Sequence, residues 1–589
     1  MKNILLAVLV VLSCTLSLYA QNNLSLTIDY SNSHALQPHV YGANNWISTR
    51  AYHYNDEGFI ENYNALGKPV IRYPGGTPSN YLDLNTGFHK AWPGASQRDL
   101  DRVTSFNNGM SNNGKGEKGE ELSRFLDFKT QTNATTTFTL NTTSMSIDEV
   151  NLALDKIVAS GEELEYVEIG NEQYFNQYES IIPDVYTYID KAKRRANSVR
   201  SRFPNAKIGV QVPSQIYTSE SFLPDPIATN QNRTETWYNA IKEETFYDAI
   251  IIHLYSSVGM DHLVTSNDFI PFKEAYKHCI SHADKLLAEV LSTLEADFPH
   301  AEIWATEFHV GGFSGDVRQY RLRYSYLGGL YASNFMFKLF SDSAVSLGNW
   351  HSMVQWQQGS GTSFGTYVNY QFFNLFQEPV KMSNRFVSVE VANTMNYSGV
   401  GTHTGEFKDV EGGLFFNDDT DKGYLMIFNK WENSYTIGIN ELETKLSGTI
   451  IESSQLSTAK NLTLEDGLES ENAFSNETIL PVGGNYTLEP FSITIFEFSK
   501  ETLVGLNKLK EDVDTIYPNP SSRHLTINSD AYYSSWCLYS KNGKIIAKGL
   551  LRNDGETTID LGENKGLMLL VLESTDGNLS KTFKVINKE

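Results

Sequence analysis

Glu168-Ile169-Gly170-Asn171-Glu172 and Ile303-Trp304-Ala305-Thr306-Glu307-Phe308 decide how this chain reads. Each is a short apolar run that closes on a glutamate, as a buried parallel strand does when it delivers a side chain at its C-terminal end. A pair of such strands predicts a closed barrel whose strand ends all open on one face.

Working outward, eight segments have the short, branched, apolar character of barrel strands: His39 to Trp46, Pro69 to Tyr73, Thr135 to Asn141, Leu164 to Gly170, Ala206 to Val212, Asp248 to Tyr255, Ala301 to Phe308 and Ser346 to Met353. Between them Ile147 to Ala159, Asp184 to Ser201, Phe272 to Leu294 and Tyr320 to Leu339 carry apolar residues at helical spacing. The alternation predicts an α/β fold, a (β/α)8 barrel over residues 39–373. The polar stretch Asn80 to Lys118 interrupts it after the second strand, and reads either as one wall of a cleft on the open face or as a surface loop.

Past Phe373 the helices are expected to stop. Alternating runs such as Gly423-Tyr424-Leu425-Met426-Ile427-Phe428, Tyr435-Thr436-Ile437-Gly438-Ile439 and Ser492-Ile493-Thr494-Ile495-Phe496 predict an accessory β-sandwich over residues 374–500. Leu24 to Tyr30, within residues 21–38, is a further strand expected to join it. Residues 501–589 read as a charged linker, Lys508 to Asp514, followed by a small all-β domain.

The chain has 589 residues, room for a large barrel with further domains beside it. Lys2, the apolar run Ile4 to Leu12 and Tyr19-Ala20 ahead of Gln21 have the order of a secretory signal over residues 1–20. A lipobox on Cys14 is the competing reading, although leucine is missing three residues before it. Removal of Cys14 with the signal leaves Cys279 and Cys537 in different expected domains, so the fold relies on its cores and not on disulfides. No later stretch holds about 18 apolar residues without charge, as a transmembrane segment needs. A formal charge of −23, from 70 acidic against 47 basic residues, disfavours nucleic acid as a partner but leaves room for a local basic pocket.

Two carboxyl groups at matched strand ends are what acetal hydrolysis needs: one gives a proton to the departing oxygen, the other meets the charge developing on the sugar ring. Glu172 is the expected proton donor and later base, with Asn171 donating to a hydroxyl beside the reacting carbon, and Glu307 is the expected nucleophile. Carboxyl groups about 5–5.5 Å apart would retain anomeric configuration, and about 6.5–9.5 Å would invert it. Arg72, at the end of the second strand, could orient Glu307 and keep it ionised, or could be a salt bridge between strands. His253 and Tyr255 are two residues apart and so share a strand face. Tyr255 is expected to donate to Glu307, and His253 to hold a sugar hydroxyl or set the carboxylate network, with a satisfied core histidine as the alternative.

Trp46, Trp350 and Trp356 fall at or after strand ends, where an indole can stack on a sugar ring or simply pack; Trp350 and Trp46 are the chosen candidates. Arg318, Arg321 and Arg323 read either as partners for sulfate or carboxylate groups on a polysaccharide or as a solvated helix face. His309 and His351 raise the question of a metal, but no compact His and Asp/Glu set recurs at ligand spacing, so no metal and no cofactor is expected. Neither a GxSxG elbow nor a phosphate loop with its lysine is present.

These residues resemble the (β/α)8-barrel clan A of retaining glycoside hydrolases, whose acid/base follows an asparagine on the fourth strand and whose nucleophile ends the seventh. Ile169-Gly170-Asn171-Glu172, Arg72-Tyr73-Pro74-Gly75-Gly76 and Leu488-Glu489-Pro490-Phe491-Ser492 are similar to the arabinofuranosidase, xylosidase and heparanase-like branches. Tyr166-Val167 stands where arabinofuranosidases have Tyr-Trp, and Phe308 where they often have Trp, so an endo-acting β-agarase or β-porphyranase on red-algal galactan is an alternative. The resemblance implies a secreted retaining hydrolase cutting plant or algal polysaccharide by double displacement. A noncatalytic carbohydrate-binding protein of the cell surface is the rival from another class, which would have no need for both acids. The tail from Tyr517-Pro518-Asn519-Pro520 to Lys588 resembles the sorting domain of type IX secretion, which implies the secretion machinery as a partner and a secreted or outer-surface location.

Overall fold

The computed structural model describes residues 23–45, 47–50, 54–111, 120–213, 231–256, 272–311, 322–351, 357–358, 365–366, 368–399, 405–458, 463–464, 474–477 and 484–500. In the tail it describes 515–517, 524–528, 533–540, 544–551, 556–561, 566–574 and 580–587. The signal segment, Cys14, Trp46, Trp356, Arg318, Arg321 and residues 112–119 of the polar stretch lie outside these residues. Contacts divide the chain into two units, one through Ser499 and one from Lys500 onward.

A first strand, β1 (Ser25–Ala35), is followed by eight parallel strands that close into a barrel: β2 (Gly42–Asn44), β3 (Val70–Tyr73), β4 (Thr136–Leu140), β5 (Tyr166–Ile169), β6 (Lys207–Gln211), β7 (Ala249–Ser256), β8 (Glu302–Val310) and β9 (Val345–His351). They are buried almost throughout because helices cover their outer side while their inward side chains fill the barrel. The helix Ile147–Ser160 shows how locally consistent the sequence is. Ser146 and Glu149 form a capping box, Val150, Ala153, Leu154 and Ile157 turn one face inward, and Gly161 ends the helix at φ 79°. The interrupting stretch after β3 is partly helical: Gln97–Ser111 forms a helix, and Glu121–Thr132 forms another before β4. Its Asn, Gly and Ser content hides a helix whose apolar contacts are few.

Beyond the barrel, β1 is the edge of a seven-stranded antiparallel sheet, pairing with Arg385–Ala392. Period-2 alternation splits this sheet between two cores. Phe386, Phe415, Met426 and Phe428 pack toward barrel residues such as Phe337 and Phe340, while Val387, Leu414, Phe416, Leu425 and Ile427 face a second layer. That layer is the ribbon Tyr435–Gly438 with Asn485–Leu488 and the helix Ile439–Leu446. Helices therefore do not stop at Phe373. Gln377–Met382 and Ile439–Leu446 are both helical, the second because Ile439, Leu442 and Leu446 share a helical face. The tail unit has a three-stranded and a four-stranded antiparallel sheet around Leu525, Ile527, Leu538, Leu570 and Val585. Cys279 and Cys537 are both buried and free.

Where the barrel meets the seven-stranded sheet, four charges cluster, Lys430 fully buried and Asp284, Lys338 and Glu411 largely so. Lys338 and Lys430 each approach Glu411 Oε1 at 2.8 Å and Asp284 at 3.1 and 3.3 Å. Burial alone would raise the Glu411 pKa, but the two ammonium groups bring it well below the usual carboxylate range. Removing one member of a buried set leaves the others uncompensated, so Glu411→Gln is expected to cost about 3–5 kcal/mol of unfolding free energy in urea titrations.

Candidate active site

Strand ends bring the site together. Glu168 and Glu172 come from β5 and the turn after it, Arg72 from β3, His253 and Tyr255 from β7, and Glu307 from β8. The turn after β5 needs left-handed backbone twice, at Gly170 (φ 84°) and at Glu172 (φ 54°). Glycine adopts that shape freely, and a Cβ at Gly170 would collide with the Gln173 side chain. Glu172 adopts it at a cost of about 1–2 kcal/mol, a strain found where structure is held for a purpose. What holds it is visible: the Glu172 backbone N–H donates to Gln211 Oε1 at 3.1 Å. Arg233 adds a clamp, donating to the carbonyls of Gln173 and Tyr174 (3.0 Å each) and of Ile182 and Pro183 (2.7 Å each).

Glu307 owes its aim to an irregularity. Ile252 pairs with Ala305, yet His253 pairs with Glu307, so β8 holds one extra residue, Thr306, opposite β7. Such a bulge re-aims a side chain, and the Thr306 hydroxyl fills the position 3.2 Å from His253 Nε2.

Arg72 is fully buried and joins the parts. Its Nη1 donates to Glu307 Oε1 at 2.5 Å, its Nε to both oxygens of Glu168 at 3.0 Å, and its Nη2 to Glu168 Oε2 at 2.6 Å and Asn171 Oδ1 at 2.9 Å. Tyr255 donates its hydroxyl to Glu307 Oε2 at 2.5 Å, and His253 Nδ1 stands 2.9 Å from Glu172 Oε1 and 3.8 Å from Glu307 Oε2. Glu172 keeps 17% of its side chain exposed, against 7% for Glu307.

Electrostatics fix the charge of Glu307. Burial would raise the Glu307 pKa, but its neighbours His253, His351 and Arg72 and the Tyr255 bond hold it well below the carboxylate range. His351 is itself kept neutral at ordinary pH by burial and by Arg323, so the permanent charge acting on Glu307 is Arg72's. Burial would lower the His253 pKa, yet Glu307 and Glu172 raise it above the usual 6.5. Burial and Glu307 push the Tyr255 pKa far up, so Tyr255 stays a donor.

The structure therefore brings Glu172, Glu307, Asn171, Arg72, His253 and Tyr255 together. It does not give Trp350 a sugar-stacking position. Trp350 is fully buried and packs against Phe308, His309 and Phe373, because its side chain belongs to the barrel wall and not to the rim. Arg323 is buried too, donating to His351 and standing over the Tyr255 ring, so it does not belong to a solvated helix face. The interrupting stretch seats the loop after β5: Asn80 Nδ2 donates to Asn171 O and to the Tyr178 hydroxyl at 2.7 Å, and Arg102 to Gln177 Oε1 at 2.9 Å.

Gln211, Asn80 and Arg233 have roles here that no motif announces, and the role of Glu168 is one its motif does not spell out. Glu168 alone left a signal, a charge in the middle of an apolar strand, which demands a buried partner.

One oxygen or nitrogen from each of Glu172, His253 and Glu307 falls within 4.8 Å of the other two, a set that spacing along the chain does not disclose. Its donors do not suit a cation. Glu307 has a hydrogen-bond donor on each oxygen, Glu172 Oε1 is engaged with His253, and the Arg72 guanidinium lies beside them.

Residues 515–587 match the family model of the secretion system C-terminal sorting domain, the type IX signal that sends a protein out of the cell or onto its outer surface. No helix among the described residues is long and apolar enough to cross a membrane. A comparison with curated protein sequences found no match. Among solved structures the chain resembles the alpha-L-arabinofuranosidase of Thermotoga maritima in complex with arabinose, at 16% identity and TM-score 0.56 over 81% of this chain and 100% of that one. It also resembles the family 51 arabinofuranosidase of Xanthomonas axonopodis pv. citri, at 15% and 0.57 over 81% and 100%. A third likeness is to a family 44 xyloglucanase of Paenibacillus polymyxa, at 12% and 0.51 over 82% and 100%. At such identities the likeness is one of fold.

Because Glu307 is a weaker base folded than unfolded, its contribution to stability is complete above its unfolded pKa near 4.5 and is lost progressively as pH falls below it. Urea titrations between about pH 7 and pH 3 are expected to show a shallower loss of stability on acidification for Glu307→Gln than for the wild type.

Proposed function

We propose that this protein is a secreted retaining glycoside hydrolase that cuts plant or algal polysaccharide by double displacement. One observation carries the reading: a carboxylate oxygen of Glu172 lies within 4.8 Å of one of Glu307 at the mouth of the barrel. That close approach favours the retaining separation of about 5–5.5 Å over the about 6.5–9.5 Å of an inverting enzyme.

In the first step Glu172 gives its proton to the departing oxygen while Glu307 attacks the anomeric carbon from the opposite side. Glu307 is equipped for this, since Arg72 and Tyr255 fix both its oxygens and it is ionised at any working pH. In the second step Glu172 takes a proton from water, which displaces Glu307 from the sugar. His253, bonded to Glu172 and inclined to hold a proton, steadies the acid through its change of charge. Asn171, its Oδ1 held by Arg72, is the donor assigned to the hydroxyl next to the reacting carbon. The fold neighbours' action on arabinofuranosides and xyloglucan supports a plant polysaccharide, and red-algal galactan is the second class to offer.

The test is sugar release from arabinan, xylan, agarose, porphyran, carrageenan and glucuronan-type polymers. The wild type is expected to cleave one of them, Glu307→Gln to lose turnover while keeping binding, and Glu172→Ala to fall about 10²–10⁴-fold, with azide partly restoring cleavage of an activated aryl glycoside. Near-normal activity in either variant would contradict the assignment, and binding without release from any polymer would favour a noncatalytic platform.

A further inference from the structure

Double displacement gives Glu168 no part, although it is a fully buried carboxylate at the heart of the site. It stands in β5 four residues before Glu172 and accepts from Arg72 Nε at 3.0 Å to each oxygen, from Arg72 Nη2 at 2.6 Å and from Thr139 Oγ1 at 3.2 Å. The same guanidinium donates through Nη1 to Glu307 at 2.5 Å. One cation is divided between two carboxylates, and only one of them changes charge during the reaction.

The charge of Glu307 is consumed and restored in each cycle. Attack forms a bond from Glu307 to the anomeric carbon and breaks the bond to the leaving oxygen, which receives the Glu172 proton; Glu307 is then a neutral ester and Glu172 a carboxylate. Water reverses this, its oxygen taking the sugar, its proton going to Glu172, and Glu307 leaving as a carboxylate. Were Glu307 the sole partner of Arg72, the ester stage would strand a buried guanidinium without a counter-charge. The carboxylate stage would then be held so firmly that the lone pair needed for attack is withheld.

We propose that Glu168 is a positioning residue that keeps Arg72 neutralised at both stages and holds its fork so that Nη1 meets Glu307 while Nη2 orients Asn171. The proposal rests on Glu307 as nucleophile. The groups that face Glu307 are Arg72, Tyr255 and His253, with Glu172 beyond His253 and His351 and Arg323 beyond Tyr255.

The experiment is Glu168→Gln in the full chain, an exchange that keeps shape and removes charge. On the polymer that the wild type cleaves, kcat is expected to fall about tenfold or more with KM within about twofold. The His253 imidazole, followed by NMR of histidine-labelled protein, is expected to titrate at lower pH than in the wild type, because the Arg72 charge then reaches it undivided. Wild-type kcat, or a His253 titration that does not move, would overturn the proposal. The titration needs no substrate. A wild type inactive on every polymer would count against the assigned reaction, while the His253 shift would still report whether Glu168 divides the Arg72 charge. Should Glu168→Gln fail to fold, Glu168→Asp keeps the charge and withdraws it by one methylene; reduced kcat at unchanged KM is expected, and wild-type kcat would overturn the alignment.

Discussion

A guanidinium with no path to water must find its counter-charges inside the protein, and Arg72 finds two. Placing an ion in a protein interior costs several kcal/mol after relaxation. One unit charge about 4 Å away returns about 4 kcal/mol at an effective dielectric near 20, so each carboxylate offsets part of that cost. Three barrel strands, β3, β5 and β8, are tied together by this one side chain. Bridging strands and orienting Glu307 are not alternatives here: the same guanidinium that ties the strands together also fixes one oxygen of Glu307.

Around that anchor the structure invests in the position of Glu172, whose backbone is strained and whose loop has only the short 3-10 turn Asn176–Tyr178 as regular structure. Gln211 from β6, Arg233 from the helix Gln231–Lys242 and Asn80 from the stretch after β3 all bind main-chain atoms of this loop or of the residue before Glu172. None of them touches a reacting group. Main-chain contacts from several elements hold a loop to a fixed shape without engaging the Glu172 carboxylate itself.

The barrel and the acid pair were legible because both leave local marks: apolar runs of strand length, and glutamates at the ends of two of them. That Leu24 to Tyr30 forms a strand of the accessory sheet was equally open to reading from its alternation, while its run to Ala35 and its place at the edge were not. Other features depend on partners distant along the chain. Trp350 reads as a rim aromatic from its place near a strand end, but the packing of Phe308 and Phe373 decides that it is wall. Thr306 looks like one residue of a strand, and only its pairing with β7 makes it a bulge. Ile439 continues a strand pattern by composition, yet Leu442 and Leu446 draw it into a helix. Glu168 was in plain view inside the decisive motif, and its meaning depended on where Arg72 lay.

If two carboxylates at this separation act as nucleophile and acid/base, the sugar must be inverted twice. Proton NMR during digestion of the polymer that the protein cleaves shows the anomer released first, before mutarotation mixes the two. The product is expected to keep the configuration of the bond that was cut; release of the opposite anomer would contradict double displacement, placing a water molecule where Glu307 is held to attack.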